Sequence, residues 1–357
     1  MDKNILHVVG ARPNFVKAAP VVHAIKEAMP SVKQTIIHTG QHYDKNLSDV
    51  FFKALNMPDP DINLKVGSKK QGKQVAEVIV GIENYMDDNK TDLLIVYGDV
   101  NSTLGAALAA VKKGVKIAHI ESGLRSFDRG MPEEINRIIV DKISDYHFVT
   151  ERSGEENLIS ENTPSESIFF VGNTMIDSLY NTLQLLGETS EYNEDYILIT
   201  LHRPSNVDNK EGLQKILSIC DSIDKKIVFP LHPRTRKKLK DYDLLDKLKS
   251  KKNIEIIDPA GYVEFVCLME NSFAVITDSG GIQEETTALN TPCLTLRKNT
   301  ERPCTLTEGT NVLVDSVEEV LQAIKNADQL KKRARKPSLW DGKAGKRIAK
   351  IIKERIL

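Results

Sequence analysis

Apolar residues in this chain follow two rhythms. Short runs rich in Val and Ile, apolar at nearly every position, read as strands buried on both faces. In the first half these are Ile5–Val9, Thr35–His38, Leu93–Tyr97, Lys116–Ile120, Tyr146–Thr150 and Ile168–Val171. Tyr196–Thr200, Lys226–Pro230, Ile254–Ile257, Ala274–Thr277, Pro292–Leu296 and Asn311–Val314 follow. Between them lie stretches with helical spacing, such as Ser102–Lys113, Glu133–Ser144, Thr174–Leu186, Glu211–Ile223, Tyr262–Asn271 and Ile282–Ala288. Strand–helix alternation predicts parallel sheets covered by helices. Twelve strands exceed one ordinary open sheet, so two sheets of about six are expected. A Gly-Asn pair ends a strand at Val171-Gly172-Asn173, which places the break there. The amphipathic stretch Ala344–Ile356 is expected to return to the first domain. The expected division is therefore 1–172 plus 340–357, and 173–339.

Length supports the same division, since 357 residues at roughly 150 per domain make two domains. Hydrophobic residues at 40% and charged residues at 28% suit packed cores and argue against disorder. Lys+Arg at 49 nearly balance Asp+Glu at 50. No general field then draws nucleic acid or an anionic membrane, and any anion site is local. No apolar run approaches the ~20 residues of a membrane span. The start, Met1 to Pro13, reads as a first strand and not as a signal peptide. Cys220, Cys267, Cys293 and Cys304 are unclustered. They suit a reducing cytoplasm and spell neither a zinc site nor a disulfide framework. The basic run Lys331–Lys336 reads as a solvated helix end.

Ligands of doubly wound sheets gather outside the carboxyl ends of the strands, so polar residues just after predicted strands are the candidates. Gly10-Ala11-Arg12-Pro13-Asn14-Phe15-Val16-Lys17 opens a helix, with Arg12 and Lys17 placed either to hold phosphate or as solvated cations. In Thr277-Asp278-Ser279-Gly280-Gly281-Ile282-Gln283-Glu284-Glu285, Gly280 and Gly281 let the backbone approach an anion, with Ser279 as a further donor. Glu284 and Glu285 stand about 100° apart on that helix. One is expected to be solvated, and the other to face a ribose diol. Arg302 either contacts a second phosphate or pairs with Glu301 or Glu308.

Three acids follow three strands of the first half. Asp99 either does chemistry or caps the next helix, Glu121 either does chemistry or pairs with Arg125, and Glu133 either does chemistry or pairs with Arg137. Together they suggest proton transfer. His202 and His232 end their strands in the same manner. No HExxH, paired cysteine or acidic calcium loop is present, so no metal ligand set is expected.

In sum these residues resemble the non-hydrolysing UDP-N-acetylglucosamine 2-epimerase family. The matching motifs are Gly-Ala-Arg-Pro-Asn with Lys17, His38-Thr39-Gly40-Gln41-His42, Gly98-Asp99, Glu121-Ser122-Gly123-Leu124-Arg125, Met131-Pro132-Glu133-Glu134-Ile135-Asn136-Arg137, His202-Arg203, Asp278 to Glu285, and Thr300-Glu301-Arg302-Pro303. They run in the family's order from residue 10 to residue 303. The resemblance implies the GT-B architecture: two Rossmann-like parallel-sheet domains facing each other across a cleft, in a homodimer. It implies C2 epimerisation of UDP-N-acetylglucosamine by anti elimination of UDP to a 2-acetamidoglucal and syn return of UDP, with no redox cofactor. Asp99, Glu121, Glu133 and His202 are then expected at the reacting sugar and diphosphate. Arg12, Lys17, Ser279, Gly280, Gly281 and Arg302 are expected on the diphosphate, Glu285 on the ribose and Phe265 near the uracil.

Two departures from the family pattern matter. Ala260 stands where a uracil-side Gln is usual. Some bacterial members bind a second UDP-N-acetylglucosamine as activator; Gln41, His42 and Arg203 match that set, His232 is a further candidate, and the loop differs beyond Tyr43. A GT-B glycosyltransferase using a UDP-sugar is the rival reading, although it does not need the three-acid set. Epimerisation of a modified UDP-2-acetamido sugar is the nearer alternative.

Overall fold

The computed structural model describes residues 3–40, 55–186 and 195–357. It contains two parallel sheets. The first comprises β1 (Asn4–Val9), β2 (Lys33–His38), β3 (Ile62–Asn63), β4 (Leu93–Tyr97), β5 (Lys116–Ser122), β6 (Tyr146–Val149) and β7 (Ile168–Phe170), in the order β3-β2-β1-β4-β5-β6-β7. The second comprises β8 (Tyr196–Thr200), β9 (Lys226–Pro230), β10 (Ile254–Ile257), β11 (Ala274–Thr277), β12 (Cys293–Leu296) and β13 (Asn311–Val314), in the order β10-β9-β8-β11-β12-β13. The twelve expected strands all form. The two-residue β3 is too short to carry a hydrophobic pattern. In each sheet the order reverses once, between β1 and β4 and between β8 and β11, and the loops at those points are where doubly wound sheets bind ligands.

Contacts divide the chain into two compact units, 1–182 with 338–357 and 183–337. The core of the first includes Leu6, Val8, Leu94, Val96 and Val140. That of the second includes Ile197, Ile199, Phe229, Ile276 and Leu294. Such strands are apolar on both faces because helices cover both. Among the described residues, no helix is long and apolar enough to cross a membrane. The four cysteines are free thiols. Burial pushes Cys220 up to about 12 and Cys293 up to about 11, so both pack as small apolar groups.

The C-terminal segment 338–357 belongs to the first unit. Helix Ala344–Ile351 packs on helix Arg12–Ala28, and Trp340, fully buried, donates its Nε1–H to Thr150 O at 2.9 Å. Pro20 lies inside helix Arg12–Ala28 and has no N–H to offer the Val16 carbonyl. Ser178 Oγ donates to that carbonyl instead, at 2.6 Å. Asp177, one residue earlier on helix Thr174–Leu186, accepts from Ala344 N at 3.1 Å and Gly345 N at 2.7 Å. It thereby satisfies the exposed amides at the start of the returning helix.

Burial pushes the Asp177 carboxyl up to about 6, against the pull of those two amides. A carboxyl raised on folding stabilises most below its unfolded value of 3.8, and that contribution is lost as pH rises through about 6. Asp177→Asn keeps an acceptor for the amides and removes the titration. The stability difference between wild type and Asp177→Asn, from urea midpoints, is therefore expected to change between about pH 4 and pH 6. Parallel curves across that window contradict the burial argument.

Candidate active site

In the first unit, the turn after β1 is drawn onto the end of β4. Asn14 Oδ1 accepts from Gly10 N at 3.1 Å and Ala11 N at 3.2 Å, while its Nδ2 donates to Tyr97 O at 2.8 Å. A Cβ on Gly10 would collide with Ser102 and lie 2.8 Å from Thr39 Oγ1, so no larger residue fits. Lys17, one turn into the helix, is buried and ion-paired with Glu121. The Arg12 side chain and all of Gln41 and His42 lie outside the described residues.

Glu121 is the most unusual residue here. It is buried, has φ +71°, and sits where the register of β5 with β6 shifts between Ile120 and Ser122. A left-handed Glu costs about 1–3 kcal/mol, and such strain clusters at functional sites. The bulge aims Glu121 at Lys17, whereas Arg125, its expected alternative partner, bonds Asp141 at 2.7 Å and Glu161 at 2.7 and 2.8 Å. Gly98, with φ +62°, makes room: a Cβ there would lie 2.9 Å from Glu121 Oε2 and 3.0 Å from Lys17 Nζ.

Asp99 precedes Val100, the N-cap of the next helix, which makes no side-chain cap bond of its own. It is clasped by Arg137, through Nε at 3.0 Å and through Nη2, while Asn136 Nδ2 donates to its carbonyl at 2.9 Å. Arg137 Nη1 also donates to Glu134 at 2.8 Å. Glu134 in turn accepts from Ser126 N and Oγ, both at 2.9 Å, and from Phe127 N at 2.8 Å. Of the two alternatives for Glu133, the pair with Arg137 does not form: Arg137 pairs with Glu134 and Asp99, and Glu133 is exposed on the first turn of helix Pro132–Ile143.

In the second unit, buried Asp278 follows β11 and holds the turn after β8. It accepts from His202 N at 3.1 Å, Arg203 N at 2.9 Å and Asn206 Nδ2 at 3.0 Å. The half-buried His202 ring stacks on His232 with centroids 5.0 Å apart. His232 Nδ1 accepts from Arg234 N at 3.1 Å and caps helix Pro233–Asp241. Ser279 is the N-cap of helix Gly280–Leu289 and makes no side-chain cap bond. The Arg302 guanidinium lies against this helix start, where a Cβ on Gly280 would come within 2.7 Å of Nη1. Arg302 is held by Glu301 at 2.6 Å and Glu284 at 3.0 Å, and Glu301 also pairs with Arg297 at 2.8 Å.

The expectation that one of Glu284 and Glu285 is solvated fails, because both are buried. Glu284 faces Arg302, and Glu285 accepts from Tyr262 Oη at 2.9 Å. Phe265, half-buried, lies on the same helix as Tyr262, Tyr262–Glu270, with Ala260 buried just before it. Sequence reasoning gave no functional role to Arg137, Glu134, Asp278, Glu284 or Glu301. Their one local signal was membership in the quoted motifs, since their partners are distant in sequence or on other elements. Among the described residues, no three His, Cys, Asp or Glu side chains are grouped to hold a metal ion.

The second unit thus gathers a guanidinium and helix amides after β11 and β12, and the first unit separately gathers acids after β4 and β5. The sequence profile of the UDP-N-acetylglucosamine 2-epimerase family matches residues 23–353. The chain belongs to this family. It is 43% identical to the UDP-N-acetylglucosamine 2-epimerase of Methanocaldococcus jannaschii, over 97% of each chain. It is also 40% identical to the UDP-2,3-diacetamido-2,3-dideoxy-D-glucuronate 2-epimerase of Pseudomonas aeruginosa, over 89% of this chain and 90% of that one. A crystal structure of the M. jannaschii enzyme in complex with UDP-GlcNAc and UDP superposes with a TM-score of 0.92 at 42% identity, covering 98% of this chain and 99% of that chain. The architecture is accordingly GT-B, shared with the epimerases of this family.

Two outcomes follow from the charges of this epimerase-family chain. Lys17→Met leaves Glu121 buried without its cation, an expected loss of about 3–5 kcal/mol of stability. Adding Glu121→Gln should restore much of it; a double variant no more stable than the single in urea denaturation counts against the pair. A phosphate contact by Arg302 would make Arg302→Ala weaken binding of UDP by roughly 10- to 100-fold, the worth of a charge-assisted contact. Unchanged affinity in calorimetry removes Arg302 from the anion site.

Proposed function

We propose that this protein interconverts the C2 epimers of a UDP-2-acetamido sugar, with UDP-N-acetylglucosamine as substrate, and that UDP leaves and returns during turnover. The observation that carries the reading is strained, buried Glu121, held against Lys17 beside the Asp99–Arg137 pair. Breaking the C1–O bond sends the electron pair to the UDP oxygen and leaves an oxocarbenium-like sugar. Lys17, Arg302 and the amides of helix Gly280–Leu289 suit the leaving diphosphate. A base then takes the C2 proton to give the 2-acetamidoglucal. UDP re-adds at C1 while an acid returns a proton to the opposite face of C2. That sequence needs acid–base groups on both faces, for which Asp99, Glu121 and Glu133 are the candidates. His202, whose backbone amide is held by Asp278 just before Ser279, is the candidate to assist the leaving group.

A second reading has a specific support. The P. aeruginosa relative, named for a diacetamido-glucuronate, is nearly as similar as the M. jannaschii enzyme. Overall similarity therefore does not choose the sugar.

Both readings are tested by incubating the purified protein in heavy water with each UDP-sugar and following C2 by NMR. Deuterium is expected at C2 of recovered substrate and epimer, with the nucleotide still attached at equilibrium. Undeuterated epimer, or free N-acetylmannosamine as main product, contradicts elimination and return. Exchange confined to the diacetamido-glucuronate moves the assignment to the modified sugar. Glu133→Gln is expected to spare UDP affinity and lower turnover by roughly 10²- to 10⁴-fold, the usual contribution of a general acid or base. Full turnover in that variant removes Glu133 from the chemistry.

A further inference from the structure

His119 lies on β5, two residues before Glu121, and its side chain is fully buried. Its Nδ1 is 2.7 Å from Asp141 Oδ1, and its Nε2 is 2.8 Å from the Gly98 carbonyl oxygen. A neutral imidazole has one N–H and one acceptor nitrogen. Here neither partner offers a proton. The Gly98 carbonyl accepts only. Asp141 accepts at its other oxygen from Arg125 Nη1 at 2.7 Å and from Gly123 N at 3.1 Å. Burial pushes the Asp141 carboxyl up, but bonds and charges from His119 and Arg125 outweigh burial and hold it below its ordinary range. Both ring nitrogens of His119 therefore have to donate.

The two ends of this bridge matter for the site. Gly98 precedes Asp99, and its own N–H donates to Ile120 O at 2.9 Å, so β5 grips both of its peptide groups. Gly123 follows Glu121 by two residues, and its amide is the one that Asp141 receives. Resting on the epimerase reading above, we propose that His119 is a positioning residue, an imidazolium whose two N–H groups tie the Gly98-Asp99 turn to Asp141 and fix Asp99 and Glu121 relative to each other. It touches no reacting atom in this scheme. Its effect runs through where the two acids stand, and misplacement by about 1 Å costs on the order of 10²-fold in rate.

The first test is ¹⁵N NMR of histidine-labelled protein at pH 7.5, with the His119 signals assigned by their loss in His119→Gln or by sequential correlation. Two protonated ring nitrogens are expected for His119, and a neutral tautomer in Asp141→Asn. One unprotonated nitrogen in wild type overturns the proposal. The second test is kinetic. His119→Gln should lower kcat on the order of 10²-fold, while UDP affinity by calorimetry stays within about threefold and the pH profile keeps its shape, since no titrating catalytic group is removed. Unchanged kcat in folded His119→Gln overturns the positioning role, and loss of UDP affinity equal to the loss of kcat does so too. If His119→Gln does not fold, Asp141→Asn carries the kinetic test with the same expectations. Wild type without C2 exchange on either UDP-sugar counts against the epimerase reading alone, because the NMR test needs no turnover.

Discussion

The first unit's site depends on one strained peptide. Glu121 holds a left-handed conformation inside β5, and its neighbours are built around it. Lys17 pairs with its carboxylate, Gly98 leaves space where a Cβ would touch both partners, and the Gly123 amide is fixed by Asp141. Regular alternation along β5 would send the Glu121 side chain to the side taken by His119. The bulge breaks that alternation, so His119 reaches Asp141 on helix Pro132–Ile143 while Glu121 reaches Lys17 on helix Arg12–Ala28. An acid thus stands at the carboxyl end of the sheet, where a straight strand would not put it.

Charge plays the corresponding part in the second unit. A guanidinium at a helix N-terminus is repelled by the helix dipole, yet Arg302 lies against Gly280. Glu284 and Glu301 hold it there, and Glu301 is shared with Arg297. Buried carboxylates balance much of the positive charge. The helix amides and the guanidinium are nonetheless the kinds of donor a diphosphate needs. Arg302 is accordingly both a structural ion-pair member and a candidate phosphate ligand. The sequence had posed ion pairing and phosphate contact as alternatives, and the ion pairs are the ones the structure shows.

Much of this was legible beforehand, and the reasons differ by residue. Strands such as Leu93–Tyr97 and Ala274–Thr277 are apolar on both faces, which only buried parallel sheets require. Asp99, Glu121 and Ser279 were found because they follow strands. The partners were not legible. Helical spacing offered Glu133 as one alternative partner for Arg137, but the fold brings Asp99 from 38 residues away. One of Glu284 and Glu285 was read as solvated because helical geometry says nothing about what covers each face. Arg302 covers Glu284, and that contact exists only once β11 and β12 lie side by side. Asp278 reads locally as a turn residue, yet its carboxylate organises the loop after β8, its neighbour in the sheet.

Strain and charge are two solutions to one requirement. A group that must act on a passing ligand has to be held in place before the ligand arrives, or ordering it then takes part of the binding energy. Backbone strain fixes a single carboxylate sharply but tolerates few changes nearby, as Gly98 and Gly123 illustrate, both with positive φ. Ionic clasps tolerate more, but each needs a counter-charge that is itself buried, and so the cluster grows: Arg302 brings Glu284 and Glu301, and Glu301 brings Arg297. In the proposed reading, proton transfer would draw on the strained carboxylate, where position decides the rate, and diphosphate binding on the ionic cluster, where charge decides recognition.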